Sequence, residues 1–318
     1  MFYIFSILAL LCWSGSDLFS KMGTRERDKN SHWKVVFAVG LIMGIHFFIT
    51  LIGGAIIDNT VGVDAVPKVI ASIFYTDFKP FDFIRYFPVA GLYILAMVLG
   101  YIGLRYIELS ISSPICNSSG ALAFLLCLLF GIFSMEELTV VTIIGIVLIT
   151  VGIVGLGFVE QNEDEEIKKA RQERANRKYA KSILAFLMPI LYLVIDALGT
   201  AGDELIFIKT DITDYAANSA FELTFFCLAI FAFIWIKFVK KDNIFRGNKH
   251  LFFGGFCETV GQIFYMAVLF SDFSVGMVII SAYCAISVLW SRIFLREKMS
   301  WKHYLMIALV ISGIVILG

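Results

Sequence analysis

The chain has 318 residues, 59% of them hydrophobic and 16% charged, with a mean hydropathy of +0.85 and no net charge. A soluble globular domain carries about 45–50% apolar and about 25% charged residues. The excess of one and deficit of the other exclude an ordinary soluble fold, and nothing in the charge balance points to a nucleic-acid partner. The charges also cluster between long apolar runs, as in a polytopic helical membrane protein whose first partner is the lipid bilayer.

Ten stretches are long and apolar enough to span about 30 Å of hydrocarbon as helices. They lie near Phe2–Ser20, Val35–Ile57, Ile84–Leu104, Ser112–Phe133, Val140–Phe158, Ser182–Thr200, Tyr215–Ile236, Leu251–Phe270, Ser274–Phe294 and Trp301–Gly318. Backbone groups in lipid must be satisfied within their own segment, which selects helices, and the alternation of a barrel strand is absent. The first stretch lacks a basic leader region and an A-x-A site, so a membrane helix is expected there in place of a cleaved signal peptide. The longest non-cytoplasmic loop, Asp58–Asp82, predicts a short interfacial helix with Phe74 and Tyr75 as anchors.

Between the fifth and sixth stretches runs Glu160–Lys181, acidic at its start and basic at its end. Asp164–Lys168, Glu165–Lys169 and Glu173–Arg177 are acid-before-base pairs four apart, the orientation a helix favours. It reads as a solvated tether that divides the chain into residues 1–158, a linker 159–181, and residues 182–318. With ten spans, 22 of the 26 Lys and Arg residues fall on the linker's side of the membrane and 4 on the other. Basic loops stay in the cytoplasm. The linker is therefore expected to be cytoplasmic and both termini non-cytoplasmic, in a multi-pass plasma-membrane protein.

The two halves carry matching signals. Glu136-Glu137-Leu138-Thr139 sets beside Glu297-Lys298-Met299-Ser300, and Gly152-Ile153-Val154 follows in register with Gly313-Ile314-Val315. Leu104–Glu108 can be set on Val268–Asp272, and Trp13-x-x-x-Asp17 on Tyr192-x-x-x-Asp196. Five helices is an odd number, so the second half enters the membrane from the opposite side. The expected fold is all-α, ten transmembrane helices in a 5+5 inverted repeat, an architecture suited to alternating access.

The segments FSMEELTVVTIIGIVLITVGIV and FLREKMSWKHYLMIALVISGIVIL, with the opening LCWSGSDLFSK, resemble the EamA-type members of the drug/metabolite transporter superfamily. The resemblance implies a basket of helices in which central helices of each half line a cavity and the fifth and tenth pack outside. It also implies transport of a small molecule. The charge distribution departs from the family's usual placing of the termini in the cytoplasm.

An ionisable side chain deep in a membrane helix costs at least about 2.5–3.5 kcal/mol, so each is a functional candidate. Asp17, Asp196, Glu222 and Glu258 qualify, with His46 as a fifth. Lys21, one turn from Asp17, offers that residue a local partner; function and simple pairing are both open readings for it. Helical spacing adds companions on shared faces: Trp13 with Asp17, Tyr192 with Asp196, Asn218 with Glu222, and Gln262 and Tyr265 with Glu258. His46 shares a face with Thr50, Tyr93 with Tyr101, and Ser113 with Asn117. The candidate substrate-binding set is Trp13, Asp17, His46, Tyr93, Asn117, Tyr192, Asp196, Glu222, Glu258, Gln262, Tyr265 and Tyr283. Acids without fixed cations beside aromatic rings suit an amine or quaternary ammonium, and the same acids can load protons. Neutral or zwitterionic metabolites such as amino acids are the alternative cargo.

The four histidines His32, His46, His250 and His303 form no local ligand pair, and no HExxH, G-x-S-x-G or GxxxxGK is present. An enzyme, including an intramembrane aspartyl protease, is therefore not expected, nor is a cofactor or a metal. A non-transporting scaffold would need an extramembrane module that the linker is too short to supply. The six cysteines lie in apolar segments and read as packing residues. Monomer and homodimer are both compatible with the sequence. The glycines at 40, 44, 145, 152, 155 and 157 predict close helix approach.

Overall fold

The computed structural model describes residues 2–24, 28–134, 136, 138–163, 166, 169–170, 183–245, 248–269 and 279–317. The charge pairs expected within 164–177 and the match at 270–272 lie outside the described residues. Among those described there are helices and no strands: α1 Phe2–Gly23, α2 Ser31–Thr60, α3 Lys68–Phe74, α4 Pro80–Gly103, α5 Leu109–Cys116, α6 Ser119–Leu129, α7 Val140–Gln161, α8 Ile183–Lys209, α9 Asp214–Ile234, α10 Lys249–Leu269, α11 Tyr283–Trp290 and α12 Trp301–Leu317. Counting α5 and α6 as one span, eight are long and apolar enough to cross a membrane, while Ile279–Leu295 and Trp301–Leu317 are shorter apolar helices. The protein is an all-α polytopic membrane protein.

Helix ends follow local chemistry. Asp82 accepts from the Lys79 N–H at 2.8 Å, and Pro80 needs no donor at the first turn of α4. Thr139 and Thr213 accept from the N–H groups of Thr142 and Ala216, starting α7 and α9. The corner between α4 and α5 is held by two buried charges. Lys21 Nζ donates to the carbonyls of Leu104, at 2.6 Å, and Ile107. Glu297 accepts from the N–H groups of Leu109 and Ser110 at 3.2 and 3.1 Å and from the Ser110 hydroxyl at 3.0 Å. A cation thus sits at the end of α4 and an anion at the start of α5, each where the helix dipole favours it. This gives Glu297 its role; Glu136, set beside it in the sequence comparison, is exposed, and Glu137 is not among the described residues.

Three expectations change. The predicted fourth span is two helices, because the turn at Asn117–Ser118 replaces α-bonds with Ser118 N–H to Ile115 O and Ala121 N–H to Ser118 O. An equivalent turn at Ala282 bonds to Ile279 and receives from Ala285. The two turns touch, with Asn117 Nδ2 donating to Ser281 O at 2.7 Å. The sixth span does not end at Thr200 but runs to Lys209, carrying Asp203 and Glu204 within α8. Finally, Phe74 is exposed as expected of an interfacial anchor, but Tyr75 turns inward and packs edge-on against Tyr215, centroids 5.2 Å apart.

Helix pairing is matched between the halves. α1 packs on α10 as α8 packs on α4, α10 on α2 as α4 on α9, and α1 on α11 as α8 on α6. Three further pairs, α2 with α9, α7 with α12 and α5 with α11, join equivalent positions. At the α7–α12 crossing, a Cβ on Gly145 would lie 3.2 Å from Gly313 O, and one on Gly313 would lie 2.6 Å from Gly145 O. Only glycine permits that approach. Beyond α12, α7 makes only slight contact with other helices among the described residues, α6 being one of them, and it leaves Val140, Val147, Val154 and Phe158 exposed, an outer position like that implied for the fifth helix.

Loops gather at two ends. At one, Lys34 Nζ reaches Asp28 at 2.7 Å and Asp242 at 2.8 Å, and Arg105 donates to Lys29 O, joining the segments after α1, α4 and α9. The Lys34 hydrogen bond holds the Asp242 carboxyl below the usual carboxylate range. At the other, Arg85 pairs with Asp211 at 2.9 Å and Thr213 donates to Asp77 at 2.6 Å, joining the segments after α3 and α8.

Candidate functional site

The interior polar residues come from α1, α8 and α10, braced by the broken helices. Asp17 Oδ2 accepts from the hydroxyls of Ser113 on α5, at 2.5 Å, and Ser287 on α11, at 2.8 Å. Its neighbour Lys21 serves the α4 carbonyls, so the local Asp17–Lys21 pair is not the arrangement adopted. Asp196 Oδ2 accepts from Ser119 at 2.6 Å. Glu258 is met by the Ser16 hydroxyl. Serine hydroxyls orient these carboxylates without neutralising them.

The three acids share surroundings. Cys116 stands within electrostatic reach of both Asp17 and Asp196, Tyr192 of Asp196 and Glu258, and Tyr283 and Tyr101 of Asp17 and Glu258. Trp13 packs against Tyr265 at 5.3 Å and edge-on to Tyr283 at 5.8 Å. The ring fits because Gly261 faces it: a Cβ there would lie 2.6 Å from Trp13 Cδ1. Tyr192 lies in the same way over Gly100, where a Cβ would be 2.9 Å from Tyr192 Cδ2. Asp17, Asp196, Glu258, Trp13, Tyr192, Tyr265 and Tyr283 are each half-buried. They retain accessible surface although they sit among packed helices.

Tyr93 belongs to the edge of this group. Its hydroxyl lies 3.3 Å from Thr200 Oγ1 and 3.5 Å from Asp203 Oδ2, and Tyr86 donates to Asp203 Oδ1 at 2.8 Å. Asp203 is absent from the sequence-derived candidates. The signal was present, since Tyr192, Asp196, Thr200 and Asp203 make one helical stripe, but placing the helix end at Thr200 hid it. Asn117 is committed to the broken-helix contact with Ser281.

His46, Glu222 and Gln262 form a second group. His46 Nδ1 lies 2.7 Å from Glu222 Oε1, which also accepts from Asn218 at 3.2 Å, while Gln262 Nε2 donates to Asn218 Oδ1 at 3.0 Å. Unlike the central acids, Glu222 is 0% exposed and His46 6%. A third cluster was not legible from local spacing. His303 Nε2 meets Glu160 at 3.0 Å, its Nδ1 meets Ser300 at 2.8 Å, and Glu163 lies 3.8 Å away, a trio of metal-competent side chains at the ends of the outer helices α7 and α12.

A search of curated proteins finds no match. The description of the EamA-like transporter family matches residues 187–318, the stretch running from within α8 to the end of the chain. This stretch of the chain is similar to the EamA-like transporter family, part of the drug/metabolite transporter superfamily, which suggests a membrane transporter of small solutes.

Proposed function

We propose that the protein is a secondary transporter for small cationic organic solutes, amines above all, working by alternating access. The observation that carries this reading is the convergence of Asp17, Asp196 and Glu258, half-buried and held by serines, with Trp13, Tyr192, Tyr265 and Tyr283. A carboxylate supplies charge and a ring face supplies cation–π attraction, together suited to an ammonium group. The nearest lysine in sequence, Lys21, points to backbone carbonyls and does not offset the acids from one turn away.

The fold is read as ten spans in two inverted five-helix units, residues 1–158 and 182–318. Matched helix pairing and matched breaks at Asn117–Ser118 and Ala282 support that reading. The loops gathered around Lys34 and Asp242 are on the linker's side, which basic-residue bias assigns to the cytoplasm. Proton exchange is the proposed driving force.

Counterflow of radiolabelled tetraethylammonium into vesicles holding the purified full chain is the test. Saturable exchange, competed by primary amines and lost in Glu258→Gln, is the expected outcome. Exchange of neutral amino acids with no response to amines would replace the cationic reading by the zwitterionic one. Chemical conversion of the solute would indicate an enzyme.

A further inference from the structure

The His46–Glu222 pair differs in kind from the central acids. Glu222 Oε1 is engaged by His46 and by Asn218, whereas Oε2 is buried and has no hydrogen-bond partner among the described residues. With Glu222 0% exposed and His46 6%, the place is sealed against a solute. A proton needs no such room; it needs an acceptor that becomes neutral on receiving it. The pair, flanked by neutral amides, has one neutral composition. That composition has one proton shared between Nδ1 and Oε1, which lie 2.7 Å apart. Release of that proton leaves a net negative charge on a sealed carboxylate, a costly state in a low-dielectric setting.

The groups around the pair are defined. Asn218 faces it from α9 itself, Gln262 reaches Asn218 from α10, and the backbone at Ile73 in α3 meets His46 from the segment between α2 and α4. The titratable groups nearest Gln262 on α10 are Glu258, one turn before it, and Tyr265, one turn after it. On α4 no hydrogen bond reaches the pair among the described residues. His46 thus stands beside the loop that charge bias places outside the cytoplasm. Glu222 is tied through two amides to the helix that bears a central acid.

We propose that His46 and Glu222 form the proton-carrying site of the transporter, separate from the solute site at Asp17, Asp196 and Glu258. The Asn218–Gln262 bond links their states through α10. Solute never touches this pair. A proton arriving on the α3 side is held between Nδ1 and Oε1, and its departure shifts Asn218, Gln262 and with them α10. The amides orient; they do not conduct. This division of labour rests on the transport reading above, but proton binding by the pair is testable without transport.

The first arm uses the purified full chain and no solute. Infrared difference spectra between acid and alkaline samples of wild type, Glu222→Gln and His46→Gln read carboxylic-acid protonation directly. The expected result is a C=O band that is lost in Glu222→Gln and shifted in His46→Gln. An unchanged band in Glu222→Gln overturns the proposal. The second arm uses vesicles with an internal pH dye and tetraethylammonium. Glu222→Gln should lower the protons moved per amine exchanged at least about tenfold, with Glu222→Asp restoring part of that ratio. A wild-type proton-to-amine ratio in Glu222→Gln protein that melts like wild type also overturns it. If the band behaves as expected but wild type moves no amine, the transport reading falls and the proton site stands.

Discussion

Helices α1 and α8 occupy equivalent places and do different chemistry. Each lays an aromatic residue over a glycine of its partner helix, Trp13 on Gly261 and Tyr192 on Gly100, and each presents an aspartate one turn later to a serine. One turn further on they diverge. On α1 the residue is Lys21, buried and bonded to the carbonyls that end α4; on α8 it is Thr200, which leaves room for Tyr93 and leads to Asp203. Steric fit between helices was retained in both halves, while polar chemistry was free to differ. The two halves therefore share an even scaffold and an uneven interior: acids and phenols continue along α8 and its neighbour α4 towards the Arg85–Asp211 end, and the α1 stripe closes on a structural lysine.

The sharpest way to break this comparison is to neutralise the acids in turn. Asp17→Asn and Asp196→Asn should each lower tetraethylammonium exchange by about a hundredfold, equivalent to ~2.8 kcal/mol at 1.4 kcal/mol per tenfold. A loss confined to one of them would show that only one half supplies the binding charge. Next in size is the pair of ring seats. Gly261→Leu and Gly100→Leu should each destabilise the protein by about 1–3 kcal/mol through overpacking, read as a lower unfolding temperature in detergent. If only Gly261→Leu is harmful, the Tyr192 seat is not equivalent to that of Trp13.

Lys21→Met tests the divergence itself. Removing the ammonium strips a donor from the Leu104 and Ile107 carbonyls, which costs about 1–3 kcal/mol. Exchange by the remaining folded protein should be near wild type; a variant with normal stability and altered amine affinity would restore the Asp17–Lys21 pairing. Tyr86→Phe is milder, at about 0.5–1.5 kcal/mol for one hydrogen bond, and should weaken amine exchange severalfold only if Asp203 lies on the solute's path.

The smallest effect concerns the Lys34 clamp. Because the folded state lowers the Asp242 carboxyl below its ordinary value of 3.8, its contribution is present above that pH and is lost as pH falls through the lowered value. Asp242→Asn should cost about 0.2–1 kcal/mol near neutrality, as for a partly exposed ion pair. The gap to wild type should close below about pH 4; a constant gap across that range would remove Asp242 from the clamp.

How much was legible depended on how local each signal was. Apolar length marked the helices, because a lipid-spanning segment must satisfy its own backbone. Helical spacing put Trp13 with Asp17 and Tyr192 with Asp196 on common faces, since the period of the helix is fixed. The same rule would have added Asp203, but hydropathy places helix ends poorly where acids are tolerated inside a bundle. The linker's own pairs lie beyond the described residues.

The sequence alone therefore determined the helical membrane class, the repeated motif order and the identity of the intramembrane acids, all properties of single segments. Tertiary structure alone decided which groups meet. Lys21 goes to α4, Glu297 goes to α5, His46 finds Glu222 across 176 residues, and His303 finds Glu160 across 143. Such partners are set by which helix faces pack together, and no spacing rule along one segment carries that information.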